Sequence, residues 1–333
     1  MSHVAIIGAG AWGTALAGVC ARAGQAVRLW AREPEVVESI NRRHENALFL
    51  AGVALDRGIE ATGDLETAVG GSCAVLLVTP AQHLREVAGN LAPYLPEGAP
   101  VALCAKGIER DGGALMSEAA AEAIPRSSLA VLSGPTFARE VANGLPTAVT
   151  LAVADSSAGE RLVDAIGNPS FRPYLSDDLI GAQIGGAVKN VLAIACGIVH
   201  GRGLGENARA ALITRGLAEI VRLGIARGAR PETLMGLSGL GDLTLTCNSL
   251  QSRNMSLGSA LGEGRRLDDI LGERRSVAEG VWSAGAVRLL ADRAGVDMPI
   301  ATAVDEILHH GATVDDMIAD LLSRPFRSER EAD

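Results

Sequence analysis

Along the first half of the chain, short runs of β-branched and aliphatic residues alternate with longer, alanine-rich stretches. The runs at 4–7, 26–30, 74–78, 101–104, 129–132 and 148–151 predict strands, and the stretches at 14–23, 34–43, 82–91 and 113–123 predict helices. Strands separated by helices pair in parallel, and a sheet covered on both faces reads as apolar throughout each strand. Beyond about Pro173 the strand-like runs thin out, and 179–199, 208–227, 277–292 and 301–309 read as helices. The expected organisation is α/β: a parallel-sheet domain over 1–173, a mainly α-helical domain over 174–325, and a charged, frayed tail at 326–333.

The first strand runs straight into Gly8-Ala9-Gly10-Ala11-Trp12-Gly13 and a small-residue helix. Gly8 permits a tight turn, Gly10 lets backbone approach a pyrophosphate, and Gly13 allows close helix–strand packing. The free N–H groups at the helix start face the anion. This is the Rossmann-type crossover of a dinucleotide site, although small residues also serve ordinary tight packing. Ligands on such sheets sit beyond the strand C-terminal ends, so the loops after Val78, Cys104 and Leu132 are expected at the same edge. An NAD-specific site places a carboxylate on the ribose about twenty residues after the glycines. Here Trp30 holds that position, followed by Arg32 and Glu33. Arg32 suits a 2′-phosphate, which makes NADPH the expected cofactor. Glu33 reaching a ribose keeps NADH open, and Arg32 also reads as a solvated surface arginine.

Charge and composition narrow the partners. The formal net charge is −9, and no basic block interleaves with aromatics, which argues against nucleic acid. The five cysteines are far apart and mostly set in apolar runs, as buried thiols of a reducing compartment would be. The N-terminus lacks a signal-peptide pattern, and no uninterrupted apolar segment predicts stable membrane insertion, so a cytoplasmic protein is expected. The six histidines form no ligand array, and no metal site is expected.

Lys189 is the only formally charged residue between Leu179 and Val199. A lysine on so apolar a helix must snorkel, pair with an acid or face a polar cleft. In a dehydrogenase it would exchange a proton with the substrate oxygen while hydride moves at carbon, and burial or a second cation would lower its pKa toward a useful range. Asn190 beside it is placed to orient substrate. Lys106 follows a strand and suits a phosphate or hydroxyl contact, though a surface loop lysine looks the same. In Ser133-Gly134-Pro135-Thr136-Phe137-Ala138, a strand gives way to a helix through a Gly-Pro turn whose backbone donors suit an oxygen-rich ligand or simply start the helix. Arg253 and Asn254, ahead of a short helix, form a candidate phosphate cradle, with Ser252 a weaker member. Asp242 would repel phosphate and fits either a substrate hydroxyl or the orientation of Lys189.

Taken together, in order, these motifs resemble the bacterial NAD(P)-dependent glycerol-3-phosphate dehydrogenase family, from Ile6 to about Pro325. The resemblance is carried by residues 8–17, Ser133 to Ala138, Lys189-Asn190-Val191, 207–211, Gly239-Leu240-Gly241-Asp242-Leu243 and Ser252-Arg253-Asn254. It implies reversible reduction of dihydroxyacetone phosphate to sn-glycerol 3-phosphate by NAD(P)H, supplying glycerophospholipid synthesis. It implies Lys189 as proton donor and acceptor, with Lys106, Gly134, Thr136, Asp242, Ser252, Arg253 and Asn254 on the substrate. The cofactor contacts it implies are Ala11, Trp12, Arg32, Lys106, Ala138, Arg253, Val277 and Glu279. Ala11 and Thr136 stand where the family often has serine: the first keeps the backbone N–H, the second keeps a hydroxyl. Helical surface and enzyme class fit a homodimer. The rival readings are a reductase of another small oxo compound and an NADP-binding redox sensor without turnover, against which Lys189 and Asp242 argue.

Overall fold

His3–Ile7 (β1) is buried at every position, as a strand covered on both faces requires. It belongs to an eight-stranded sheet in the computed structural model, which describes residues 2–273 and 278–325. The other strands are Val27–Trp30 (β2), Ile59–Thr62 (β3), Ser72–Leu77 (β4), Val101–Leu103 (β5), Leu129–Ser133 (β6), Thr147–Val153 (β7) and Phe171–Ser176 (β8). Their order is β3-β2-β1-β4-β5-β6-β7-β8, so the chain reverses direction across the sheet between β1 and β4. That switch point is where a doubly wound sheet opens a crevice for a ligand.

Helices Ala11–Arg22 (α1), Pro34–Arg43 (α2), Leu65–Val69 (α3), Leu84–Leu91 (α4), Met116–Ala123 (α5), Ala138–Ala142 (α6) and Ser156–Ile166 (α7) link or flank these strands. The pleat sorts their apolar faces into two cores. Val4 and Ile6 point with Leu16, Val36, Ile40 and Leu162 to one side, while Ala5 and Ile7 point with Val69, Leu84, Leu91 and Met116 to the other. Each fully buried Leu or Ile contributes about 1.5–3 kcal/mol relative to exposure.

Several features differ from the sequence expectation, among them α3 and α7, helices that were not expected. The pairing of β6 with β7 is antiparallel, Ala130 opposite Val153, where a parallel sheet was expected throughout. The five-residue α6 is the only helix between them and rises only about 7–8 Å. A seven-residue strand spans roughly 23 Å, so α6 cannot carry the chain back to its far end. Strands β3 and β8 were not expected: β3 carries Glu60 on an alternating, half-exposed pattern, and β8 carries Arg172 and Pro173. As the last strand of the sheet, β8 tolerates a proline that cannot donate to a ladder. Finally, the helix expected from 113 begins at Met116, because Gly112-Gly113 precedes it and Gly113 has φ +66°.

Two compact units result. The first joins the chain up to Ala105 with Met116–Ala182, and the second joins Lys106–Leu115 with the chain from Gln183 onward. The second unit holds most of Leu179–Gly201 (α8), followed by Glu206–Ala226 (α9), Pro231–Leu234 (α10), Asp242–Cys247 (α11), Arg253–Gly262 (α12), Leu267–Glu273 (α13), Glu279–Ala294 (α14), Pro299–His309 (α15) and Val314–Ser323 (α16). α8 is long and apolar enough to cross a bilayer, but its most apolar window is wholly buried in the protein. It packs against α12 at backbone contact: a Cβ on Gly197 would lie 2.1 Å from the Met255 carbonyl oxygen, and one on Gly258 2.0 Å from that of Ile194. The expected tail at 326–333 lies outside the described residues.

Candidate active site

The glycine turn between β1 and α1 is shaped by what cannot fit. Gly8 has φ +118°, and a Cβ on it would meet the Val78 carbonyl oxygen at 2.8 Å. A Cβ on Gly13 would sit 1.8 Å from the Gly8 oxygen, so the helix can lie against the turn only with glycine there. A Cβ on Gly10, by contrast, would meet nothing within 4 Å. Gly10 is the N-cap of α1 and brings no side-chain acceptor, and the first turn holds no acidic residue. The leading N–H groups of a twelve-residue helix therefore face outward with the positive end of its dipole. Trp12 adds a buried indole N–H with no partner among the described residues. Open backbone donors with no competing anion fit the diphosphate of a dinucleotide.

At the end of β2, the Trp30 indole donates to the Gly63 carbonyl. The Arg32 side chain is 79% exposed, and its guanidinium pairs with Glu33 at 2.9 Å. Gly134, Thr136 and Ala138 lie in the same unit. Gly134 adopts φ +154° against Val149, Thr136 donates to the Gly134 carbonyl at 3.2 Å, and Ala138 opens α6.

The second unit gathers the lysines. Lys189 on α8 is 7% exposed and donates to Asp242 Oδ1 at 2.8 Å and to the Thr246 hydroxyl at 2.8 Å. Lys106 donates to Asp242 Oδ2, also at 2.8 Å. One buried carboxylate thus bridges two ammonium groups, and the cluster carries one excess positive charge. The pKa of Lys189 is lowered to about 8: desolvation lowers it most, Asp242 opposes the shift, and the Lys106 charge adds to it. Thr246 stands one helical turn after Asp242 on α11, and its hydroxyl donates to the Asp242 carbonyl at 2.6 Å while accepting from Lys189. It was missed from sequence, although the i, i+4 spacing from an acid was its available signal. A π-type turn, Leu237–Gly241, leads into α11; such turns often mark functional sites.

Asn190 ties this cluster to α12 and α14. Its Nδ2 donates to the Lys106 carbonyl at 2.9 Å, and its Oδ1 accepts from Asn254 Nδ2 at 2.9 Å. Asn254 Oδ1 in turn accepts the Gly280 N–H at 3.0 Å. Lys106, Asn190, Asn254 and the start of α14 therefore form one chain of amides. Partial desolvation lowers the Arg253 pKa, and the Glu279 carboxylate opposes that shift. Ser252 is the N-cap of α12, and its hydroxyl accepts the Met255 N–H, so that helix-end donor is satisfied within the protein. Val277 lies outside the described residues. Among the described residues, no three His, Cys, Asp or Glu side chains converge as metal ligands would.

Comparison with known proteins adds a family. Two family models match, described as the N-terminus and the C-terminus of NAD-dependent glycerol-3-phosphate dehydrogenase, over residues 3–159 and 178–319. The chain is 63% identical over 326 residues to a Parvibaculum lavamentivorans glycerol-3-phosphate dehydrogenase [NAD(P)+], covering 98% of each. It is 62% identical over 329 residues to the Rhodospirillum rubrum protein of the same name, covering 99% of this chain and 94% of that one. Among solved structures it is similar to glycerol-3-phosphate dehydrogenase from Coxiella burnetii, with TM-score 0.93, 41% identity, and 97% and 99% of the two chains covered.

Proposed function

The chain belongs to the NAD-dependent glycerol-3-phosphate dehydrogenase family, and from that premise we propose how its own residues perform the reaction. It is an NAD(P)-dependent oxidoreductase, converting dihydroxyacetone phosphate and sn-glycerol 3-phosphate reversibly. The observation that carries the residue assignment is the Asp242 carboxylate shared by Lys106 and Lys189, because it leaves a largely buried site one positive charge in excess.

When bound, the nicotinamide supplies the hydride that adds to the C2 carbonyl carbon. Negative charge then develops on the C2 oxygen, and two ammonium groups in a low-dielectric site stabilise it more than water would. Lys189 gives that oxygen its proton, and the neutral amine recovers one from solvent; in the reverse direction the neutral amine takes the hydroxyl proton. A pKa of about 8 leaves both forms populated near neutral pH. Asp242 and Thr246 hold the lysine nitrogen in place, and Lys106 contributes charge. Arg253 is the anchor for the remote phosphate, whose binding energy holds the carbonyl in reacting geometry. Ser252, Gly134 and Thr136 complete the substrate set, and Asn190 with Asn254 fixes the frame on which it rests.

Cofactor contacts fall to Gly8, Gly10, Ala11, Trp12 and Gly13 at the diphosphate, Arg32 at the ribose, and Lys106, Ala138, Arg253, Val277 and Glu279 elsewhere. NADPH is favoured over NADH through Arg32, and the enzyme works in the cytoplasm to supply glycerophospholipid synthesis. The test follows NADPH absorbance with purified protein and dihydroxyacetone phosphate, then with NADH, then with unphosphorylated dihydroxyacetone. Rapid oxidation that depends on the phosphate is expected, while NADPH binding without oxidation would overturn the reaction.

A further inference from the structure

The glycine turn is itself held by a side chain from outside it. Asn46, fully buried in the loop after α2, donates through Nδ2 to the Ala9 carbonyl at 2.8 Å and to the Thr14 hydroxyl at 2.8 Å. Its Oδ1 accepts the Phe49 N–H at 3.1 Å, and its own carbonyl accepts the Leu50 N–H at 2.9 Å. The Thr14 hydroxyl also leans on the Ala9 oxygen, at 3.4 Å. Both ends of the amide are thus committed, and a flipped amide would set its oxygen against the Ala9 oxygen.

The Ala9 carbonyl and the Gly10 N–H are two ends of one trans peptide and point in opposite directions. Drawing the carbonyl onto Asn46 turns the Gly10 N–H away from it, and the open space at Gly10 lets an anion approach. We infer that Asn46 is a positioning residue for the dinucleotide diphosphate, selecting the one orientation of the Ala9–Gly10 peptide in which the turn presents its N–H to the anion. This rests on the dinucleotide reading above. Asn46 touches no ligand; it removes the reorganisation a free peptide would undergo at each binding event. Glycines flank or form this peptide on both sides, so without that hold the backbone has other orientations open to it.

The experiment titrates purified protein with NADPH by fluorescence, using inorganic pyrophosphate and adenosine as competitors. Wild-type protein must bind NADPH; if it does not, the dinucleotide reading fails, and this inference with it, before any variant is measured. Asn46→Leu keeps the branched, four-heavy-atom shape of the side chain and loses both its donor and its acceptor. In that variant the dissociation constants of NADPH and pyrophosphate should rise about tenfold, equivalent to about 1.4 kcal/mol. Adenosine competition, kcat at saturating NADPH and KM for dihydroxyacetone phosphate should hold. Thr14→Val removes one support of the same amide and should weaken pyrophosphate roughly two- to threefold, a fraction of a hydrogen bond's net worth. It decides the matter if Asn46→Leu does not fold. Unchanged pyrophosphate affinity in a folded variant, or equal loss for pyrophosphate and adenosine, would overturn the inference, since equal loss reports a loosened loop.

Discussion

The two candidate ligand sites are built from different materials. The turn at Gly8 to Gly13 is made of backbone: its donors are peptide N–H groups, and its side chains matter mainly by their absence. The cluster at Lys106, Lys189, Asp242 and Thr246 is made of side chains whose charges are buried together. A backbone site keeps its charge distribution at any ordinary pH and fails by steric distortion. A side-chain site fails through protonation and through the loss of any one partner, because a buried ion left alone is costly.

The sharpest way to break the comparison is Lys189→Ala. General acid catalysis contributes about 10²–10⁴-fold, and turnover should fall by roughly 10³-fold. NADPH affinity, measured by fluorescence, should stay within about twofold, since no interaction at the turn changes. An equal loss of both would mean that the two regions are one. Next is Asp242→Asn, which leaves two ammonium groups without their shared anion; turnover should drop by about 10²-fold, in line with removing one partner of a buried ion pair. Its pH profile tests the sign. Reduction needs protonated Lys189, so wild-type rates should fall as pH rises through about 8 and oxidation rates should rise. The Asp242 charge raises that pKa, and its removal should move both breaks to lower pH. Profiles that stay in place would remove Lys189 from the proton step.

At the backbone site the matching experiment is Gly13→Ala. A methyl 1.8 Å from the Gly8 oxygen forces the turn or α1 to move, and NADPH affinity should weaken by about 10²-fold, some 2.7 kcal/mol. The pH breaks assigned to Lys189 should not move. This variant should also melt earlier, by several degrees if it loses about 1–3 kcal/mol to overpacking.

This contrast also explains which features show in the sequence alone. The glycine turn, Lys189, Asp242 and most elements of the sheet and helices were legible because each shows locally: small residues at fixed spacing, or a charge where none is expected. Lys189 stood out as the lone charge on α8, but its partner had two readings. The second reading, orientation of the lysine, needed the π-type turn and α11 to bring residues 53 positions apart to 2.8 Å. Thr246 and Asn46 were not singled out for a related reason: a threonine four residues after an acid in a helix and an asparagine in a loop are common, and their meaning lies in partners elsewhere in the fold. β3 and β8 escaped because edge position, not pattern, lets Glu60 and Pro173 sit in strands. α7 escaped although Asp155 caps it, accepting the Ser157 and Ala158 N–H groups, a start signal present in the sequence.

Arg32 carries the comparison to its smallest effect. Like Lys189 it is a cation paired with a carboxylate, but the Arg32–Glu33 pair lies at 2.9 Å on the surface, with Arg32 79% exposed. Water and salt screen such a pair, and its worth is small where the buried one is large. Its partner is therefore easily exchanged, and a 2′-phosphate offers the guanidinium more charge than Glu33 does. Arg32→Ala should weaken NADPH by about five- to tenfold and leave NADH within twofold, with the NADPH loss shrinking as salt rises from 50 to 500 mM. Glu33→Gln should act in the opposite direction and tighten NADPH by about twofold, because it removes the competing anion. The ratio of the two dissociation constants across this pair of variants measures what one exposed side chain adds to a site made of backbone. Equal losses of NADPH and NADH in Arg32→Ala would place the arginine on a part both cofactors share, and would move the choice between them to another residue.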